Sequence, residues 1–137
     1  MLTVRRTVRT VLAAWTGLAA FKNLCDLCAA FEVAPAARRF GSKNFVAIEK
    51  LLAPLGVSRE AGGALLAGAA LTEAAIAVAY ARGRTELATA LAVALFGSFA
   101  LIDEATVEYQ LDQTHREILV FVLAGYLVMR DPGGEPV

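Results

Sequence analysis

The chain has 137 residues, with 13 basic and 13 acidic side chains and a formal net charge of zero. That balance gives no support to a nucleic-acid-binding surface, and two cysteines are too few for a secreted disulfide scaffold. Hydrophobic residues make up 58% of the chain, above the roughly 45–50% usual for soluble domains, and the length suits one domain.

A helix that crosses the hydrocarbon layer needs about 20 mainly apolar residues. The N-terminal stretch "MLTVRRTVRTVLAAWTGLAA" has the basic head and apolar run of a cleaved signal peptide, but it also reads as a retained first span. That span is expected over about 10–31 and carries Lys22, Asn23 and Asp26, with Trp15 inside it instead of at an interface. About thirty residues follow before the next span, too many for a simple turn. Within them Ser42 stands as an N-cap and Pro54 as a stop. Phe45, Ile48, Leu51, Leu52 and Leu55 recur there at spacings of three and four. This predicts a short amphipathic helix over about 43–53, either lying in the headgroup region or packed on the protein as a loop helix.

The second span, about 62–81, holds one charge, Glu73, and the small residues Gly63, Ala64, Ala67, Gly68 and Ala75. Small side chains let neighbouring backbones approach, and Gly17, Gly97, Ser98 and Gly125 offer the same on the other spans. A tight basic turn, "ARGRTE", leads to the third span, about 86–102, the cleanest of the four. The fourth has an apolar run of only twelve residues, 118–129, and reaches span length, about 113–130, by recruiting polar residues upstream. The fold class expected is therefore all-α: a single four-helix transmembrane bundle over 1–131, with the interfacial helix between spans one and two. Residues 132–137 are expected to form a disordered tail.

Lysine and arginine near span ends set orientation. With the N-terminus inside, Arg5, Arg6, Arg9, Arg82, Arg84 and Arg130 face the cytoplasm, and Arg38, Arg39, Lys43, Lys50, Arg59 and Arg116 face the other side. The count ties at six each. The N-terminal cluster next to a span decides for both termini being cytoplasmic in a multi-pass cell-membrane protein.

Charges at membrane depth cost roughly 2.5–3.5 kcal/mol each on insertion scales and usually face a partner or a cavity. Lys22 and Asp26 are one helical turn apart and can pair. Glu73 needs either a cation or a proton, and it is expected to approach Lys22 or Asn23. These four residues read either as polar helix docking or as a pocket for a quinone head group, a proton or a small substrate. Cys25 and Cys28 stand three residues apart, which puts their Cα atoms about 5 Å apart on a helix, within disulfide range. They read as a thiol pair with redox chemistry, or as two small apolar residues. Lys22 would lower a thiol pKa here and Asp26 would raise it.

The junction "IDEATVEYQLDQTHREI", residues 102–118, gathers Asp103, Glu104, Glu108, Asp112, His115 and Glu117. Glu104, Glu108 and His115 make a candidate divalent-metal site, set against a plain solvated acidic cap. A chain with one histidine cannot supply bis-histidine haem ligation within one subunit.

The order of these features, "TGLAAFKN" with Gly17 and Lys22, then "FVAIEKLLAPLGV", then "GGALLAGAALTEAAIA" with Glu73, then the basic turn, resembles the DoxX and MauE-like small membrane proteins over roughly residues 10–130. The resemblance implies a four-helix bundle with Lys22 and Glu73 in a shared polar interior. It also implies association with quinol-oxidase, thiol-oxidant-defence or disulfide-maturation systems, which would make quinone the cofactor. The acidic 102–118 segment and the Cys-x-x-Cys pair depart from it. The expected function is an accessory protein of a thiol/quinone redox system, bound in the lipid bilayer with a protein partner or as a homo-oligomer. Alternatives are a non-catalytic subunit or assembly factor and a proton-coupled small transporter working through Glu73.

Overall fold

The computed structural model describes the backbone of residues 2–106 and 109–130 and the side chains of 3–103 and 114–130. Among the described residues every regular element is helical: α1 (Leu2–Ala30), α2 (Asn44–Leu52), α3 (Arg59–Ala81), α4 (Thr85–Thr106) and α5 (Tyr109–Met129), with 3₁₀ turns at Pro35–Arg39 and Ala53–Leu55. The expected tail 132–137 lies outside the described residues.

Local chemistry explains the boundaries. After α1, Glu32 takes a left-handed conformation (φ 58°), and the Ala34 N–H closes on the Cys28 carbonyl at 3.0 Å. Pro35 then prevents the helix from resuming. Ser58 accepts the Ala61 N–H at 3.2 Å and so caps the start of α3. Between α3 and α4, Gly83 supplies the positive φ (77°) that lets the Gly83 and Arg84 N–H groups satisfy the Tyr80 and Ala79 carbonyls. Each long helix starts earlier than its apolar run, because polar residues at helix ends extend a helix readily. α1 therefore begins at Leu2 and α5 at Tyr109.

The contacts divide the chain into two compact units, residues 1–17 with 75–137, and residues 18–74. In the first, Leu12, Ile76, Tyr80, Ala88, Ala92, Phe96, Val122 and Met129 form the core. Trp15 packs on this core, its ring 5.8 Å from Phe96 and 6.2 Å from Phe121. Gly125 permits a close approach, since a Cβ there would stand 3.0 Å from a Leu12 methyl. Tyr80 is fully buried, and its hydroxyl meets that of Thr89 at 3.2 Å.

In the second unit Phe45, Leu66, Ala69 and Ala70 are buried. The rings of Phe31 and Phe45 lie 5.5 Å apart. Gly63 sits so close to Phe31 that a Cβ would come within 2.7 Å of its ring. Arg59 fastens this corner: it donates to the Ala30 carbonyl at 2.8 Å at the negative end of α1, approaches Glu49 at 3.5 Å, and stands over both phenyl rings.

Large apolar side chains cover the outside of all four long helices. Leu18, Phe21 and Leu24 of α1, Leu65 and Leu71 of α3, Leu87 and Leu101 of α4, and Val120, Leu123 and Leu127 of α5 are exposed. Two of these helices, Arg59–Ala81 and the Thr85–Asp103 part of α4, are long and apolar enough to cross a membrane.

Candidate functional site

The buried polar residues of the second unit form one hydrogen-bonded chain. Asn23 on α1 faces inward because it shares a helix side with Ala20 and Asp26, three residues away in either direction and both buried. Its Nδ2 donates to Glu73 Oε2 of α3 at 2.8 Å. Its Oδ1 accepts from Asn44 Nδ2 at 2.7 Å, at the start of α2. Both ends of the Asn23 amide are thus used, and Glu73 is held through one carboxyl oxygen.

Asp26 completes the arrangement one turn along α1. Its carboxylate accepts the Lys43 N–H at 3.1 Å, the Asn44 N–H at 2.7 Å and the Ser42 hydroxyl at 3.2 Å. These N–H groups belong to the N-terminus of α2, where orphan donors and the helix dipole both favour an anion. Asp26 therefore caps α2 from another helix. That displaces Ser42 from the expected N-cap role: the cap position is Lys43, in a left-handed conformation with φ 66°, and it makes no side-chain cap bond. Gly41 is needed for the approach, because a Cβ there would overlap Asp26 Oδ1.

The expected Lys22–Asp26 ion pair does not form. Lys22 is exposed, and the buried Asp26 carboxylate is taken up by the N-terminus of α2 instead. Of the two donors anticipated for Glu73, it is Asn23 that reaches it. Asn44 and Gly41 also belong to the arrangement, although Asn44 carried no signal beyond its place beside a helix start and Gly41 only that of a residue punctuating the loop ahead of it.

Cys25 is buried and Cys28 half-buried on α1, and both are free thiols. Cys25 shares the interior with its neighbour Asp26, while Cys28 lies one turn further toward the end of the helix. The helical spacing puts their Cα atoms about 5 Å apart, within the range that a disulfide spans.

At the α4–α5 junction the expected metal ligands fall largely outside the described residues: Glu108 entirely, and Glu104 in its side chain. His115 pairs through Nδ1 with Asp103, and its ring lies 5.2 Å from that of Phe99. Among the described residues no group of three or more His, Cys, Asp or Glu side chains could hold a metal ion. His115 and Asp103 belong to the first unit and the Asn23–Glu73 chain to the second.

Compared with protein-family models, curated proteins and solved structures, the chain matches none of them.

Proposed function

We propose that the chain is a four-span integral membrane protein that serves as an accessory component of a thiol/quinone redox system, as the resemblance to DoxX and MauE-like proteins implies. The observation that carries the membrane reading is the inverted distribution of polarity. Asn23, Asp26, Glu73, Thr89 and Asp103 are buried, while leucines, valines and phenylalanines are exposed on α1, α3, α4 and α5 alike. In water such a surface would aggregate, whereas in lipid it is the expected one.

Lengths agree. α1, with 29 residues, and α5, with 21, extend about 43 Å and about 31 Å, against a hydrocarbon layer of about 30 Å. Lys22 is on the outer face of α1, two turns before its end, where its long stem can carry the ammonium to the interface. Both termini face the cytoplasm in this reading, and α2 lies at the opposite interface.

The redox role rests on the pair Cys25 and Cys28 beside the buried polar chain. Closing a disulfide between them releases two electrons and two protons, and a quinone is the class of oxidant that takes up both. The groups suited to a quinone head group are the Glu73 carboxyl and the second N–H of the Asn23 amide, both buried. Glu73 Oε1, the oxygen that Asn23 does not hold, is the atom suited to take the proton. The test is to trap free thiols with a maleimide in intact membranes, before and after reduction and with the quinone pool poised oxidised or reduced. A disulfide that follows the pool supports the proposal; two permanently free, slow-reacting thiols contradict it.

A second reading, a subunit or assembly factor without chemistry of its own, is favoured by one observation. Gly68 on α3 is exposed with open space above it, between exposed Leu65 and Leu71 and one turn from exposed Ala64. That is a face on which a second helix can pack closely. Gly68→Leu should then abolish association with a partner while the double cysteine replacement changes nothing. Gly63, an equal candidate for such a contact on sequence grounds, is buried against Phe31, so a bulky residue there would report on folding instead.

A further inference from the structure

The connection from α1 to α2 concentrates positive charge. Between Glu32 and Glu49 it carries Arg38, Arg39 and Lys43 and no carboxylate. All three are exposed, and among the described residues none of their side chains makes a hydrogen bond or an ion pair. The acids of the same unit do not neutralise them. Asp26 caps α2, Glu49 faces Arg59, Glu60 begins α3 beside Arg59, and Glu73 holds Asn23. Glu32 is exposed and pairs with none of the three.

These cations stand on a segment that folds back along α1. The ring of Phe40 lies 6.3 Å from that of Phe21. Directly after it, the Ser42 hydroxyl and the N–H groups of Lys43 and Asn44 hold Asp26. Two contacts on α1 thus fix residues 40–44 beside the helix, and Phe21 lies about 14 Å before its end at Ala30. Arg38 and Arg39, in the last turn of the 3₁₀ helix just before Phe40, are carried back with it, toward exposed Lys22 beside Phe21. Phe21 and Phe40 are themselves 50% and 59% exposed. Long basic side chains next to exposed aromatic rings suit the boundary between headgroups and acyl chains. An anionic phospholipid offers the matching chemistry, a phosphate above and hydrocarbon below.

We propose that this folded-back segment binds the headgroup of an anionic phospholipid, with Arg38 and Arg39 on the phosphate and the Phe21–Phe40 pair against the glycerol end of the acyl chains. The inference rests on the membrane reading above but not on the redox role. The N-terminus of α2 does not contribute, because Asp26 already fills it. One basic residue at a membrane surface favours an anionic lipid by about fivefold, so the two arginines together give about twenty-five-fold over a zwitterionic one.

The experiment begins with alkaline carbonate extraction of membranes containing the full chain; release of the protein would overturn the membrane reading itself. The protein retained is then purified in mild detergent, and its first lipid adduct is read by native mass spectrometry with phosphatidylglycerol against phosphatidylcholine of the same chains. Phosphatidylglycerol should be favoured about twenty-five-fold, and about fivefold in Arg38→Gln or Arg39→Gln alone. The double glutamine variant should bind both lipids equally with helix content unchanged, and the double lysine variant should keep the preference. Removing the same charge from the α3–α4 turn, as Arg82→Gln with Arg84→Gln, should leave the ratio as it was. Equal retention of the two lipids by the unaltered protein would overturn the proposal. So would a preference that survives the double glutamine variant or an equal loss on changing Arg82 and Arg84. Displacement of the lipid by glycerol 3-phosphate would assign the site to a soluble phosphate and overturn it too.

Discussion

Replacing Asp26 with alanine is the sharpest perturbation of the polar chain. The carboxylate accepts two backbone N–H groups, at 3.1 and 2.7 Å, and the Ser42 hydroxyl at 3.2 Å. A hydrogen bond to a charged group is worth roughly 1.5–3 kcal/mol, and losing a helix cap costs about 0.5–2 kcal/mol. The two figures describe the same contacts and are not added. About 3 kcal/mol is a reasonable total for undocking the start of α2. A helix of nine residues is marginal alone, so it depends on this anchor and on buried Phe45. Hydrogen exchange in detergent reads the effect directly: the amides of Phe45–Leu52 should lose protection by on the order of a hundredfold, with α4 and α5 unchanged. Asp26→Asn keeps one acceptor oxygen and should lose about half as much in free energy. If α2 amides exchange at the original rate in Asp26→Ala, Asp26 is not the anchor and the account of this corner fails.

Other outcomes follow from the same geometry. Glu73→Leu leaves the Asn23 amide without its acceptor and should cost about 1–2 kcal/mol in thermal or denaturant unfolding, whereas Glu73→Gln, whose carbonyl still accepts, should stay within about 0.5 kcal/mol. Loss of quinone-linked thiol turnover in Glu73→Gln without loss of stability would then mark the carboxyl proton as the functional element. Gly83→Ala must hold φ near 77° and press on the Arg9 guanidinium, so a stability loss of about 1 kcal/mol is expected from melting curves. Tyr80→Phe should cost about 1 kcal/mol by removing the buried contact with Thr89, and the same change in a Thr89→Val background should cost markedly less.

The helices themselves were legible because long apolar runs, Pro54 and the Gly83 turn act locally. The amphipathic helix expected over 43–53 is α2 at Asn44–Leu52, with Phe45 as its buried anchor. Glu73 announced itself by standing alone in an apolar run, and Asn23 by standing with Lys22 and Asp26 inside another. The partner of Asp26 was not legible. A lysine four residues earlier on the same helix is the nearest opposite charge in sequence, but the backbone N–H groups that take the carboxylate arrive from seventeen and eighteen residues away. Backbone donors carry no sequence signature. For the same reason Arg59, which binds a helix-end carbonyl and two rings, read as one more loop charge.

The most direct measurement of the central claim, four membrane crossings, is the side of the membrane reached by single cysteines in a background lacking Cys25 and Cys28. Thr3, Arg39, Arg84 and Arg130 are each replaced by cysteine and labelled with an impermeant maleimide in sealed vesicles. Four crossings place Thr3, Arg84 and Arg130 on one side and Arg39 alone on the other. If only α3 and α4 cross, Arg84 will stand alone against the other three, and the four-span account is wrong.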